Sequence, residues 1–229
     1  MRTTGIDAPG WSPAEIDLLV RAARHAPLYG GGRPWVLEPR DHEVALFELP
    51  HRSCHDRLGF GRLLTCGAVL QNVVTALRAA GWLVEVDLPA DVDRPDLLAV
   101  LTAVGRREPT AEDLLDDRAL EEEGAPGPVA VPALVAADHW PGTRVRPVDG
   151  TIEPAVSSLP AGSTALLVST DGDSRRDVLR AGAALQAVRL RARASGLRTS
   201  FVRGPLHGTP GHHWALLGVR PVSPPRPEG

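Results

Sequence analysis

Apolar residues at Ile16, Leu19, Val20 and Ala23 recur at helical spacing, just after Ser12, Pro13 and Glu15. Those three are an N-cap, a first-turn proline and a capping-box acid, so a helix is predicted to start here and to stop near Ala26-Pro27. The glycine-rich turn from Leu28 to Arg33 leads into two strands, Pro34 to Glu38 and Glu43 to Leu49, joined as a hairpin through Arg40-Asp41-His42. From Phe60 to Ala80 the apolar positions cover more than half of a helical circumference, which predicts a long helix buried on several sides. Gly81 ends it, and Trp82 to Leu88 alternates as a strand before Pro89.

The middle of the chain is less regular. Pro95 to Val104 reads as a short helix, Ala111 to Glu123 as an acidic and weakly amphipathic stretch, and Gly124 to Pro128 as a boundary. Ala130 to Ala137 reads as a strand. Asp138 to Pro160 reads as an irregular connection, long enough to signal function or a missed element. Clearer patterns follow: a strand from Ser163 to Ser169, a helix from Ser174 to Ser195, strands at Arg198 to Val202 and His213 to Val219, and a proline-rich tail from Pro221. The expected organisation is one domain over 1–229, divisible into pseudo-repeat halves 1–123 and 129–220, with 221–229 as the tail.

Composition excludes several chemistries. The chain has 229 residues, a formal net charge of -3 and a hydrophobic fraction of 43%. A sizeable core is therefore available, with no general attraction for nucleic acid or anionic membrane. All 25 basic residues other than histidine are arginine. Without lysine there is neither a phosphate-loop cation nor a Schiff-base amine. No Gly-x-Ser-x-Gly elbow and no Gly-x-Gly-x-x-Gly after a strand occurs, which removes the serine-hydrolase and Rossmann readings.

Cys54 and Cys66 are the only cysteines, no signal sequence is legible, and the longest apolar stretches, such as Ala130 to Ala137, are expected to be far too short to span a bilayer. A reducing cytoplasmic setting is the expectation. His51, Cys54, His55 and Cys66 lack the paired ligand spacing of a structural zinc site. In the group His207, His212 and His213, the adjacent pair on a strand points to opposite faces, so no metal is expected. The five tryptophans read as packing residues.

Three ordered segments resemble the nitroreductase family. Ala26-Pro27-Leu28-Tyr29-Gly30-Gly31-Gly32-Arg33-Pro34-Trp35 is similar to the family's Ala-Pro-Ser-x-x-Asn-x-Gln-Pro-Trp turn, with Leu28, Gly31 and Arg33 replacing the Ser, Asn and Gln that line a flavin pocket. Leu64 to Asn72 resembles the start of the family's long central helix, and Asp171 to Leu197, with Arg180 to Gln186, resembles its later acidic turn and helix. The pattern is nearest to the actinobacterial Acg-type branch, whose members resemble two fused subunits; this chain looks shortened in the middle.

The resemblance implies an α+β nitroreductase-like fold with a central, mostly antiparallel sheet flanked by helices and a long buried central helix. It implies FMN as cofactor, NAD(P)H as transient reductant and a small organic acceptor reduced by ping-pong hydride transfer, with no side chain required as acid or base. The cofactor-binding set it implies is Pro27, Leu28, Tyr29, Arg33, Arg106, Arg107 and Arg226, the last three for the phosphate. Arg33 would either stabilise an anionic hydroquinone or fill the pocket and exclude the ring. The alternative is a non-catalytic relative that sequesters flavin or has lost it and serves as a binding or interaction protein. A homodimer, or pairing of the two halves within one chain, would complete the pocket.

Overall fold

The computed structural model describes residues 10–29, 32–49, 56, 59–90, 93–125, 127–148, 158–203 and 212–221. Helix α1 (Pro13–Arg24) begins with the Ser12/Glu15 capping box. Strands β1 (Trp35–Arg40) and β2 (Glu43–Glu48) form the hairpin, turning at Asp41, whose φ is 46°. Helix α2 (Phe60–Ala79) has no cap from its own N-cap residue, Gly59. Asp56 supplies it instead, accepting from the backbone N–H groups of Gly61 at 3.0 Å and Arg62 at 2.9 Å. Strands β3 (Trp82–Asp87) and β4 (Leu97–Arg106), helices α3 (Ala111–Glu121) and α4 (Val131–Val135), strands β5 (Thr143–Pro147) and β6 (Thr164–Thr170), helix α5 (Arg175–Ala194) and strands β7 (Leu197–Arg203) and β8 (His212–Pro221) complete the described chain.

The architecture is α+β and its strand pairing is antiparallel, as expected, but there are two sheets instead of one. Each has four strands, ordered β1-β2-β4-β3 and β5-β6-β8-β7. Each sheet thus carries a hairpin-like outer pair, and each places its last strand between its second and third. The elements from α2 onward also repeat at constant spacing: Phe60 and Arg175, Trp82 and Leu197, and Leu97 and His212 are each 115 residues apart (175 − 60, 197 − 82, 212 − 97). Gly81 and Gly196 hold the same place after the two long helices, both with positive φ, +83° and +64°.

Helices α2 and α5 pack against each other and join both sheets into one core, which takes in Val44, Leu46 and Leu101 from the first sheet and Leu166, Val168 and Leu217 from the second. They meet at Gly67 and Gly182. A methyl added at Gly67 would lie 2.0 Å from the Leu179 carbonyl oxygen, and one at Gly182 would lie 2.3 Å from that of Leu64. Only a residue without Cβ allows backbones to approach this closely. α2 is long and apolar enough to cross a bilayer, yet 89% of that stretch is buried inside the fold.

Three local expectations are corrected. Pro95 to Val104, expected as a short helix, instead holds most of β4 (Leu97–Arg106), an inner strand bonded to both β2 and β3; its good helix formers are overruled by the two ladders and the alternating burial they create. Ala130 to Ala137, expected as a strand, instead holds the short helix α4 (Val131–Val135), with Pro132 in its first turn, where a missing N–H costs nothing. The connection from Asp138 contains β5, an edge strand paired only with β6 and ending in Pro147.

Candidate functional site

The turn after α1 is the segment with the clearest resemblance, and its described part is pinned from several sides. The backbone N–H of Tyr29 donates to Thr65 Oγ1 on α2 at 2.9 Å, and the Pro34 carbonyl accepts from the Cys66 thiol at 3.4 Å and from the Leu49 amide at 2.9 Å. Burial, helped by the charge of Glu48, pushes the Cys66 thiol well up, so it is a packing group and not a nucleophile.

The Tyr29 ring lies on Phe201 of β7, with centroids 4.4 Å apart. Its hydroxyl accepts from Arg189 Nη1 at 3.4 Å, and burial raises its pKa against the opposing charge of Arg189. Arg189 also donates to Gln186 Oε1 at 3.1 Å, Gln186 donates to Asn72 Oδ1 at 2.8 Å, and Asn72 donates to the Ala22 carbonyl at 3.0 Å. A relay of polar groups therefore runs from the end of α1 through the α2–α5 interface to Tyr29. Such a chain is well satisfied and fixes the ring in place.

The other residues implied by the resemblance are dispersed. Pro27 is half-buried, Leu28 and Arg33 are exposed, and Arg226 lies outside the described residues, as do Gly30, Gly31, His51, Cys54, His55 and His207. Arg106 donates to Glu15 Oε1 at 2.9 Å and to the Ala80 carbonyl at 3.1 Å, with its guanidinium 3.2 Å above the Trp82 ring. Arg107 pairs with Asp113 at 2.7 Å. Ala80 lies 15 residues beyond Thr65 (80 − 65), so Arg106 and the Tyr29 backbone are about 20 Å apart along α2. The structure brings Tyr29 to Thr65, Arg189 and Phe201, and does not bring Arg106 or Arg107 to that group. Among the described residues no group of three or more His, Cys, Asp or Glu is placed to hold a metal ion.

Glu15 and Asp113, which hold these two arginines, also close the capping boxes of α1 and α3. Burial works to raise both carboxyls. Hydrogen bonds outweigh it, from Ser12, Trp82 and Arg106 to Glu15 and from Thr110 and Arg107 to Asp113, and hold both below their ordinary values. A folded pKa below the unfolded one stabilises above the unfolded value, about 4, and that stability is lost as pH falls through the folded value. Glu15→Gln combined with Asp113→Asn is therefore expected to flatten the loss of stability below about pH 4. Urea midpoints at neutral and acid pH check this; an unchanged acid slope would show that neither carboxylate contributes.

The second half holds a related arrangement. Gln71 and Gln186 occupy the same position in α2 and α5 (186 − 71 = 115) within a repeated Leu-x-x-Gly-Ala-x-Leu-Gln, residues 64–71 and 179–186. Gln186 reaches the Tyr29 turn of the first half through Arg189, and Gln71 accepts from the indole N–H of Trp140, in the turn before β5, at 2.8 Å. By the same offset Arg180 corresponds to Thr65 and Val86 to Phe201 (180 − 65, 201 − 86). Where Tyr29 and Phe201 stack in one half, the other has a cleft of about 300 Å³ bordered by Val86, Leu88, Trp140, Pro141, Arg176 and Arg180. Arg176 also borders a larger cleft of about 440 Å³, walled by Pro95, Leu97, Leu98 and Leu179. Sequence reading missed this pair of sites, although the repeated octapeptide was there to be found.

Among the described residues, the side chains at the Tyr29 turn do not fit FMN. An isoalloxazine needs an open slot with donors at its pyrimidine edge, and a phosphate needs arginine or backbone donors within reach of the same molecule. Here the Tyr29 ring is stacked on Phe201, and Arg106 and Arg107 are committed to Glu15 and Asp113. No protein-family model matches the chain, and no curated protein matches it.

Proposed function

We propose that this chain is a non-catalytic small-molecule-binding protein built on a nitroreductase-like scaffold, in which the turn that meets flavin in such enzymes is closed by the protein's own tyrosine. The observation that carries this reading is the Tyr29–Phe201 stack at 4.4 Å, held by the hydrogen bond from Arg189. The paired sheets of identical strand order around two adjoining long helices support the scaffold part of the reading, because a fused pair of subunits would repeat one strand order twice in this way. Small-molecule binding is supported by the clefts about Arg176, whose volumes of 300 and 440 Å³ suit a small ligand.

The test is a flavin titration of the purified chain. The expected result is no absorbance band near about 450 nm in the isolated protein, and no rise in melting temperature with added FMN. A ligand present at about 100 times its Kd would add about 2.7 kcal/mol to the native state, well within detection. Protein that purifies yellow and is bleached by NADH or NADPH would overturn the reading in favour of an FMN-dependent oxidoreductase. Tyr29→Ala should remain folded, because Tyr29 is only partly buried, and gives the matching control for an opened turn.

A further inference from the structure

We infer that the larger cleft at the start of α5 binds a small molecule with an apolar body and a single oxyanion, the oxyanion resting on Arg176. The inference deepens the binding-protein reading above and rests on it. Arg176 is half-buried and borders both clefts. Its neighbours on α5 are already engaged: Arg175 pairs with Glu48 at 2.5 Å, and Arg180 lies 3.6 Å from Asp177. Among the described residues Arg176 has no ion pair. A guanidinium in that position presents a planar fork of donors, the geometry that a carboxylate or phosphate accepts in bidentate fashion.

The walls specify the remainder of the ligand. Pro95, Leu97, Leu98 and Leu179 give the larger cleft a mainly apolar surface around about 440 Å³. The smaller cleft is lined by Asp87, which repels an oxyanion, and its second arginine, Arg180, is already paired with Asp177 at 3.6 Å. The negative end is therefore directed to Arg176 and the apolar body into the larger cleft. Medium-chain or aromatic carboxylates have this chemistry. A bare inorganic anion would leave the apolar wall uncovered, and a neutral hydrocarbon would leave the cation unpaired.

Binding to the full chain can be followed with anilinonaphthalene sulfonate as a fluorescent probe, decanoate as competitor and decanol as its neutral counterpart. Decanoate is expected to displace the probe at concentrations about tenfold below decanol, a charge-assisted hydrogen bond being worth that factor or more. Arg176→Gln should weaken decanoate about tenfold and leave decanol unchanged, while Arg176→Lys keeps part of the preference. Arg198→Gln, at an exposed position on β7, should change neither. Unaltered decanoate affinity in a folded Arg176→Gln protein, or decanol competing as well as decanoate, overturns the site. If added FMN is still refused in that event, only the site falls. If FMN binds and is reduced while the Arg176 dependence persists, it is the reading of the Tyr29 turn that falls.

Discussion

Gly67→Ala and Gly182→Ala are each expected to destabilise the protein by about 3 kcal/mol, lowering the melting temperature by roughly 6–12 °C for a chain of this size. The obstacle is backbone. The added Cβ at Gly67 would stand 2.0 Å from the Leu179 carbonyl oxygen, 2.7 Å from the Ala183 nitrogen and 2.9 Å from the Gly182 Cα, so no rotamer change relieves it. The helices must separate, and with them the core shared by the two sheets. Alanine's better helix propensity, about 1 kcal/mol, offsets only part of this. Since a single separation relieves both clashes, the double variant should lose less than the sum of the two. Urea denaturation followed by circular dichroism measures all three; losses below about 0.5 kcal/mol in both single variants would refute the close crossing.

That crossing shows what the sequence made legible and what it concealed. α1 and α5 were readable because Ser12 with Glu15 and Ser174 with Asp177 announce their starts, and α2 because its apolar residues run around the whole helix. β4 was not, because Leu97–Arg106 combines helix formers with β-branched residues and only the ladders on both sides decide between them. The turn from Pro27 to Trp35 was recognisable as a turn. Its contacts were not, since Arg189 and Phe201 lie far away in sequence and reach Tyr29 only after α2 and α5 have packed. Arg106 and Arg107 looked like one phosphate-binding pair. Side chains of adjacent extended residues diverge, and these two go to Glu15 and Asp113 on different helices or their caps. The repeated octapeptide was fully legible, because the two glycines and two glutamines that join the halves are local to it.

Glu48 carries the other large expected effect. It is 6% exposed at the end of β2, with Oε1 accepting from Arg62 Nε at 2.9 Å on α2 and Oε2 from Arg175 Nη2 on α5. One carboxylate thereby ties the first sheet to both long helices. Removing it takes the shortest ion-pair contact from Arg62, whose side chain is 17% exposed and which keeps Asp56 at 4.0 Å and the Asp56 carbonyl at 3.4 Å among its partners. Glu48→Ala is therefore expected to destabilise by about 2 kcal/mol, the loss of charge-assisted hydrogen bonds to a buried carboxylate. Arg175→Ala, which removes a 54% exposed partner, should cost at most about 1 kcal/mol. The reverse order in urea denaturation would place the structural weight on Arg175 instead. Glu48→Gln separates stability from binding: it keeps the side-chain volume and releases Arg175 from its ion pair beside Arg176 and the apolar wall of the larger cleft. Freed of its counter-charge, this second arginine of the cleft lining should strengthen decanoate binding severalfold and leave decanol unchanged. A Glu48→Gln protein that binds decanoate no better would mean that Arg175, which also lines the larger cleft, does not reach the bound carboxylate.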